Sequence, residues 1–197
     1  MNDREFYKVP DYAISFFNFE RPYKNVITNL NKISYNLGAE MVLRALSAKY
    51  FGTPATAANG VKMIDSLLIL AELNPAEYRI VDGSGVSHYN LISAKLIMSL
   101  LKYMYYQKPE LYKILYHSFP IAGIDGTLKN RMIGTSAQNN VHAKTGTLSG
   151  VCSLSGYVTA RNGHLIAFSM LVQNYVGSSK TGREFQDVIC NILAEYK

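Results

Sequence analysis

Lys144-Thr145-Gly146-Thr147 closes a stretch that reads as a β-strand. A lysine at a strand edge brings positive charge to a site. Threonine hydroxyls and a backbone N–H can hold a carboxylate or an oxyanion, and glycine leaves room for a substrate backbone. A Lys-Thr-Gly triplet is expected by chance only ~0.04 times at this composition and length. The second triplet, Lys180-Thr181-Gly182, is expected in a loop before the last helix, without a strand, and reads as coincidence. It is not a phosphate-binding Walker loop, because Ser179 stands where glycine must precede the lysine. Ser34-Tyr35-Asn36 lies at a helix junction. There a serine hydroxyl can relay protons, and an asparagine amide can hold a carbonyl or a neighbouring lysine. Taken alone, Ser-x-Asn arises by chance about once, and its plainer reading is a helix cap.

The elements that must carry these residues follow from periodicity. Pro22 can open a helix on which Val26, Leu30 and Ile33 recur at helical spacing. A second helical stretch follows Ser34 and ends near Tyr50–Gly52; a third runs from about Ala57 to Leu73, with Met63, Leu67 and Leu70 on one stripe. Asn74-Pro75 stops it. Tyr78 to Val81 reads as extended and runs into the glycine loop Asp82-Gly83-Ser84-Gly85. Ile92 to Tyr106 is expected to be a helix with Leu96, Ser99, Leu100 and Tyr103 on one face, and Glu110 to His117 a shorter one. From Asn140 the period changes to that of strands: Val141–Thr145, Val151–Ala160 and His164–Gln173, the last two joined by an Arg161-Asn162-Gly163 turn. Glu184 to Tyr196 closes the chain as an amphipathic helix with Phe185, Val188, Ile189, Ile192 and Leu193. The order predicts an α+β fold in which residues 1–135 are mostly helical and carry Ser-x-Asn. Residues 136–197 bring the strands with Lys-Thr-Gly and the closing helix.

Ser-x-Asn on a helical region and Lys-Thr-Gly on a strand are two of the three signatures of penicillin-binding serine enzymes. The chain resembles one branch of these, the D-Ala-D-Ala carboxypeptidase/endopeptidase family of low-molecular-mass class C penicillin-binding proteins. The resemblance rests on residues 31–40 (NKISYNLGAE), 81–90 (VDGSGVSHYN), 119–128 (FPIAGIDGTL), 142–151 (HAKTGTLSGV) and 153–157 (SLSGY), in the family's order. It covers roughly residues 20 to 197. It implies that Ser34 and Asn36 form the second motif, and Lys144, Thr145, Gly146 and Thr147 the third. It implies acyl transfer to a serine, with peptidoglycan stem peptides or β-lactams as substrates and no cofactor or metal. In that scheme Ser34 and Lys144 pass a proton to the leaving amine. Lys144, Thr145 and Thr147 hold the terminal carboxylate, and the Thr147 N–H is half of an oxyanion hole.

The family's nucleophile motif, Ser-x-x-Lys, lies far upstream of Ser-x-Asn. Among these 197 residues Ser-x-x-Lys occurs only as Ser99-Leu-Leu-Lys102, in the wrong order and on the apolar face of an expected helix. The chain is therefore expected to be the later portion of a catalytic domain, inactive alone. The implied fold is a truncated penicillin-binding/β-lactamase-like transpeptidase fold: a helical subdomain, the last three antiparallel strands and the C-terminal helix. The open sheet edge would be covered by an N-terminal segment or by a homo-oligomer. The family implies a periplasmic or cell-envelope location, although no signal peptide is evident in the polar stretch Met1 to Pro10.

His88 stands where the family usually has an arginine facing the substrate side chain. An imidazole binds a carboxylate less well, which puts a preference for acidic side chains in question. His142 shares a strand face with Lys144. Cys152 reads as a buried structural thiol, and two cysteines are too few for a disulfide scaffold. Asp125, Asp82 and Glu40 lack metal-ligand spacing. The net charge of +6 is scattered without a basic block, which argues against nucleic acid. No apolar run reaches the roughly 18 residues of a membrane span. The alternative reading is a non-catalytic relative that binds peptidoglycan or a partner protein.

Overall fold

The alternation of apolar residues after Asn140 becomes an antiparallel sheet of three strands in the order β1-β2-β3: β1 (His142–Leu148), β2 (Val151–Thr159) and β3 (Leu165–Gln173). The computed structural model describes residues 22–197. Residues 1–21, to which the sequence assigns no element, including the polar start, lie outside the described residues. Six α-helices accompany the sheet among the described residues: α1 (Tyr23–Ile33), α2 (Asn36–Phe51), α3 (Ala57–Leu70), α4 (Ala94–Gln107), α5 (Pro109–Ser118) and α6 (Lys180–Glu195). The expected α+β order is thus present. The chain forms two compact units. One takes in Tyr35–Ile92 with residues 22–26, and the other joins Ile27–Ser34 to Ser93–Lys197.

In the first unit α2 and α3 pack closely, and Gly60 is the reason. A methyl there would come within 2.5 Å of Leu43 O. The buried positions of α3 are accordingly Gly60 and Leu68, whereas Leu67 and Leu70 of the expected stripe are exposed. The apolar pattern misjudged the face, because the close approach selects the smallest residue rather than the largest. The helix begins on a Thr56 cap that accepts from Asn59 N at 3.1 Å. It ends at Leu70 rather than Leu73, as Leu73 N folds back to Leu68 O and Glu72 adopts φ +60°. The expected extended piece at 78–81 is reduced to one bridge, Arg79 with Leu91. Between them the Asp82 carboxylate accepts from Gly85 N, Ser87 N and Asn90 Nδ2. Glu40 Oε1 accepts from Gly83 N and Ser84 N.

In the second unit strand alternation gives the sheet two apolar faces. Ala143, Leu154, Val158 and Phe168 join Cys190 and Ala194 of α6 in one core cluster. Tyr157 lies on the other face with Leu101 of α4 and Phe119, which follows α5. On α4 the buried residues are Leu96 and Leu101, with Ile97 and Met98 packed against the Tyr157 cluster. The face is rotated from the expected Leu96–Ser99–Leu100–Tyr103 stripe. Ser99 lies at the middle of α4, only partly buried. The β2–β3 turn closes with Gly163 at φ +85° and Gly163 N donating to Ala160 O.

Two expectations about the last helix are corrected. Lys180-Thr181-Gly182 is not a loop but the first turn of α6. A methyl on Gly182 would meet Cys152 Sγ at 2.5 Å, so the glycine lets α6 press on β2. The face against the sheet is therefore Gly182, Gln186, Cys190 and Ala194, at a spacing of four. Phe185, Val188 and Ile192 are 56–58% exposed instead of packed. Both cysteines are buried and free.

Candidate functional site

Ser34 owes its position to the end of one helix and the start of another. The α1 helix stops at Ile33, and Ser34 takes φ +55°, a left-handed conformation that turns the chain into α2. It does not cap that helix: the N-cap of α2 is Tyr35, which makes no side-chain cap bond. The Ser34 hydroxyl instead accepts a 2.7 Å hydrogen bond from Lys144 Nζ, and Nζ also donates to Thr145 O at 2.8 Å.

Lys144 is delivered by β1, where it pairs with Ser155 of β2. Burial holds its ammonium below the usual lysine range. Both oxygens on Nζ are uncharged. A lysine so placed gives up a proton more readily than one in water, and Ser34 is the hydroxyl in its reach.

The rest of the Lys-Thr-Gly-Thr run follows along the strand. Thr145 Oγ1 donates to Thr127 Oγ1 at 2.8 Å. Gly146 is close-packed, since a methyl would meet Ser153 Oγ at 2.5 Å. Thr147 is exposed. His142, on the same strand face, stacks on Tyr116 with ring centroids 4.1 Å apart and aligns Nδ1 with Tyr116 O at 3.3 Å. Burial is the main influence pushing its pKa down, opposed by that carbonyl contact and assisted by nearby Lys32. Asn36, the first residue of α2, and His88, in the Asp82 loop, are both exposed and belong to the other unit.

Three residues given no role by sequence reasoning sit in this neighbourhood. Lys32, in the last turn of α1, donates to Phe119 O at 2.6 Å and to both Asp125 oxygens at 2.8 and 2.6 Å. Asp125 Oδ1 also accepts from Ile121 N. Thr127 meets Thr145 as described above. Asp125 and Thr127 carry no local signal beyond their place in the 119–128 stretch, because their side-chain partners Lys32 and Thr145 lie 93 and 18 residues away in sequence. Among the described residues no group of three or more His, Cys, Asp or Glu is placed to hold a metal ion. No helix among them is long and apolar enough to cross a membrane.

Comparison with known proteins agrees with the family resemblance. The D-alanyl-D-alanine carboxypeptidase DacB of Haemophilus influenzae is 32% identical over 185 residues, covering 89% of this chain and 38% of that protein. The D-alanyl-D-alanine carboxypeptidase of an Actinomadura species is 35% identical over 176 residues, covering 87% of this chain and 32% of that protein. The crystal structure of penicillin binding protein 4 from H. influenzae superposes with a TM-score of 0.80 at 30% identity, over 87% of this chain and 40% of that one. The TLA-3 extended-spectrum β-lactamase shares the fold, with a TM-score of 0.67 at 18% identity over 90% of this chain and 66% of that one. This chain thus spans about a third to two fifths of the length of the two carboxypeptidases. Residues 20–196, which hold both motifs and every element described above, match the D-Ala-D-Ala carboxypeptidase 3 (S13) family, and to that family the chain belongs.

Proposed function

We propose that this chain supplies the Ser-x-Asn and Lys-Thr-Gly half of a serine-type D-Ala-D-Ala carboxypeptidase/endopeptidase acting on peptidoglycan stem peptides in the cell envelope. The observation that supports the reading is the 2.7 Å bond between Lys144 Nζ, of the Lys-Thr-Gly run, and Ser34 Oγ, of the Ser-x-Asn run. In the reaction a nucleophilic serine attacks the carbonyl between two terminal D-alanines. Ser34 and Lys144 deliver a proton to the departing amine, and water later releases the acyl group. Lys144, Thr145 and Thr147 hold the terminal carboxylate, and Gly146 keeps the strand clear of the peptide. The Thr147 N–H supplies one oxyanion donor. Asn36 and His88, which belong to the other unit, are given substrate-binding roles by the family resemblance alone.

The nucleophile and its lysine belong to a Ser-x-x-Lys motif that Ser99-Leu-Leu-Lys102 does not replace, so these 197 residues alone form no acyl-enzyme. Intact-mass spectrometry after benzylpenicillin treatment is expected to show no adduct, and a stoichiometric adduct would refute the claim. An NMR titration with diacetyl-Lys-D-Ala-D-Ala is expected to perturb Thr145, Gly146 and Thr147. Perturbation confined elsewhere would refute the assigned site.

The alternative is a non-catalytic relative that binds peptidoglycan or a partner, and two exposed features could serve contacts under either reading. The outer edge of β3 pairs with no other strand among the described residues. Phe185, Val188 and Ile192 line an apolar stripe on α6. An additional segment or a second copy covering either feature is compatible with both readings.

A further inference from the structure

Ser34 and Lys144 sit on elements with no adjacent backbone pairing between them, so something must set their separation. The path between them is short and polar. Asn31 Nδ2, on α1, donates to Ser118 Oγ at 2.7 Å. One residue further along α1, Lys32 grips Phe119 O and both Asp125 oxygens. Asp125 folds the 121–125 turn onto itself through Ile121 N at 2.9 Å. The same segment runs beside the start of β1: Ala143 N donates to Pro120 O and Ala122 N to Val141 O, each at 3.0 Å. Gly126 completes the fit, since a methyl there would come within 2.5 Å of Lys32 O. Two residues beyond Lys32 is Ser34, and one residue beyond Ala143 is Lys144. The Lys32 and Asp125 side chains are 18% and 38% exposed, so the pair is partly shielded from water.

We infer that the Lys32–Asp125 pair is a positioning clamp that holds the Ser34 hydroxyl against Lys144, an inference that rests on the proton-relay reading of those two residues. Lys32 and Asp125 act through the backbone of α1 and of the 119–125 segment, and neither touches the relay atoms. Misplacing one proton-relay partner by an ångström is enough to slow chemistry severely. The clamp explains why a lysine two residues before the Ser-x-Asn motif and an Asp-Gly pair in a distant loop occur together.

A thiol at position 34 reads the geometry directly. In S34C the thiol lies beside the Lys144 ammonium, and its pKa is expected about one unit below the ordinary ~8.5 of a free cysteine. It is measured in the full 197-residue chain from the pH dependence of iodoacetamide alkylation, because Cys152 and Cys190 are buried. Under the clamp, S34C/K32M and S34C/D125N both raise the thiol pKa back by about one unit, roughly tenfold in thiolate at a fixed pH near 7, while S34C/K32R keeps it low. Through-space charge alone gives a different pattern. Loss of the Lys32 charge raises the pKa, but loss of the Asp125 charge lowers it, and opposite movements overturn the clamp. A low pKa retained in both double variants also overturns the clamp and leaves the Ser34–Lys144 pairing standing. An ordinary pKa in S34C itself overturns the pairing and the clamp together. D125N preserves side-chain shape and carries the test where K32M perturbs folding.

Discussion

Ser34 Oγ and Lys144 Nζ are 2.7 Å apart although 110 residues separate them in sequence. The bond is made by a serine in a left-handed conformation and a lysine whose charge is disfavoured by burial. Two locally unfavourable states are thus held together, as happens where a fold stores strain at a site.

That conjunction predicts an unusual order of stabilities. S34A removes the hydrogen bond to the charged lysine and is expected to destabilise by about 2 kcal/mol. S34G removes the same bond but relaxes φ +55°, recovering about 1 kcal/mol. S34G is therefore expected to be more stable than S34A in urea unfolding, the reverse of the usual helix-linked preference. An S34G chain less stable than S34A would contradict the strained turn.

Alkaline pH should weaken the fold through groups that stay protonated only when folded. Burial first, then the neighbouring Tyr116 and Tyr105, push Tyr112 up to about 12. Burial first, then Asp187, and against Arg131, push the Cys190 thiol up to about 12. The folded chain then binds protons that the unfolded chain has released, so unfolding free energy falls with rising pH. Their contributions are fully present below the unfolded values of 9.0 for Cys190 and 10.0 for Tyr112, and are lost as pH climbs through about 12. C190A is expected to flatten the decline that begins near pH 9. An unchanged slope between pH 9 and 10 in C190A would contradict this.

Gly156 of β2 lies directly across from β1. A side chain there would run into His142 O and the Ala143 side chain and backbone. G156A is expected to cost about 3 kcal/mol, because neither backbone can move without breaking the β1–β2 ladder. Gly163 has φ +85° but open space around it, so G163A is expected to cost only about 1 kcal/mol. Equal losses in thermal or chemical unfolding would contradict the packing account.

Arg131 ties the glycine-rich loop to α6. Its guanidinium donates to Asp187 Oδ1 at 2.9 and 2.6 Å, to Arg183 O and to Gln186 Oε1. The pair is largely shielded, at 12% and 25% side-chain exposure. R131M is expected to destabilise by about 2–3 kcal/mol, since it leaves Asp187 and the buried Gln186 without their donors. The double variant R131M/D187L is expected to recover part of that loss, and a double-mutant cycle in urea measures it.

Lys144-Thr-Gly-Thr on a strand, Ser34-x-Asn36 at a helix junction, and the strand order of the last sixty residues were legible in the chain. They depend on short-range periodicity and on motif spacing. Strand alternation also placed His142 and Lys144 on one face. Helix faces were less legible. The sequence promised that Phe185, Val188 and Ile192 would pack, yet α6 turns Gly182, Gln186, Cys190 and Ala194 to the sheet. Hydrophobicity names the residues that would gain from burial, but the distance between a helix and a sheet decides which can fit, and a glycine at the contact outweighs a phenylalanine.

By itself the sequence determined the chemistry available: a lysine on a strand, a serine at a helix junction, and hydroxyls around them. Only the tertiary structure decided that Lys144 meets Ser34, that burial weakens the lysine's hold on its proton, and that Lys32 and Asp125 join the two sides. Those outcomes depend on contacts across 93 and 110 residues, which no local pattern encodes, and on removal of water, which exists only once the chain has folded.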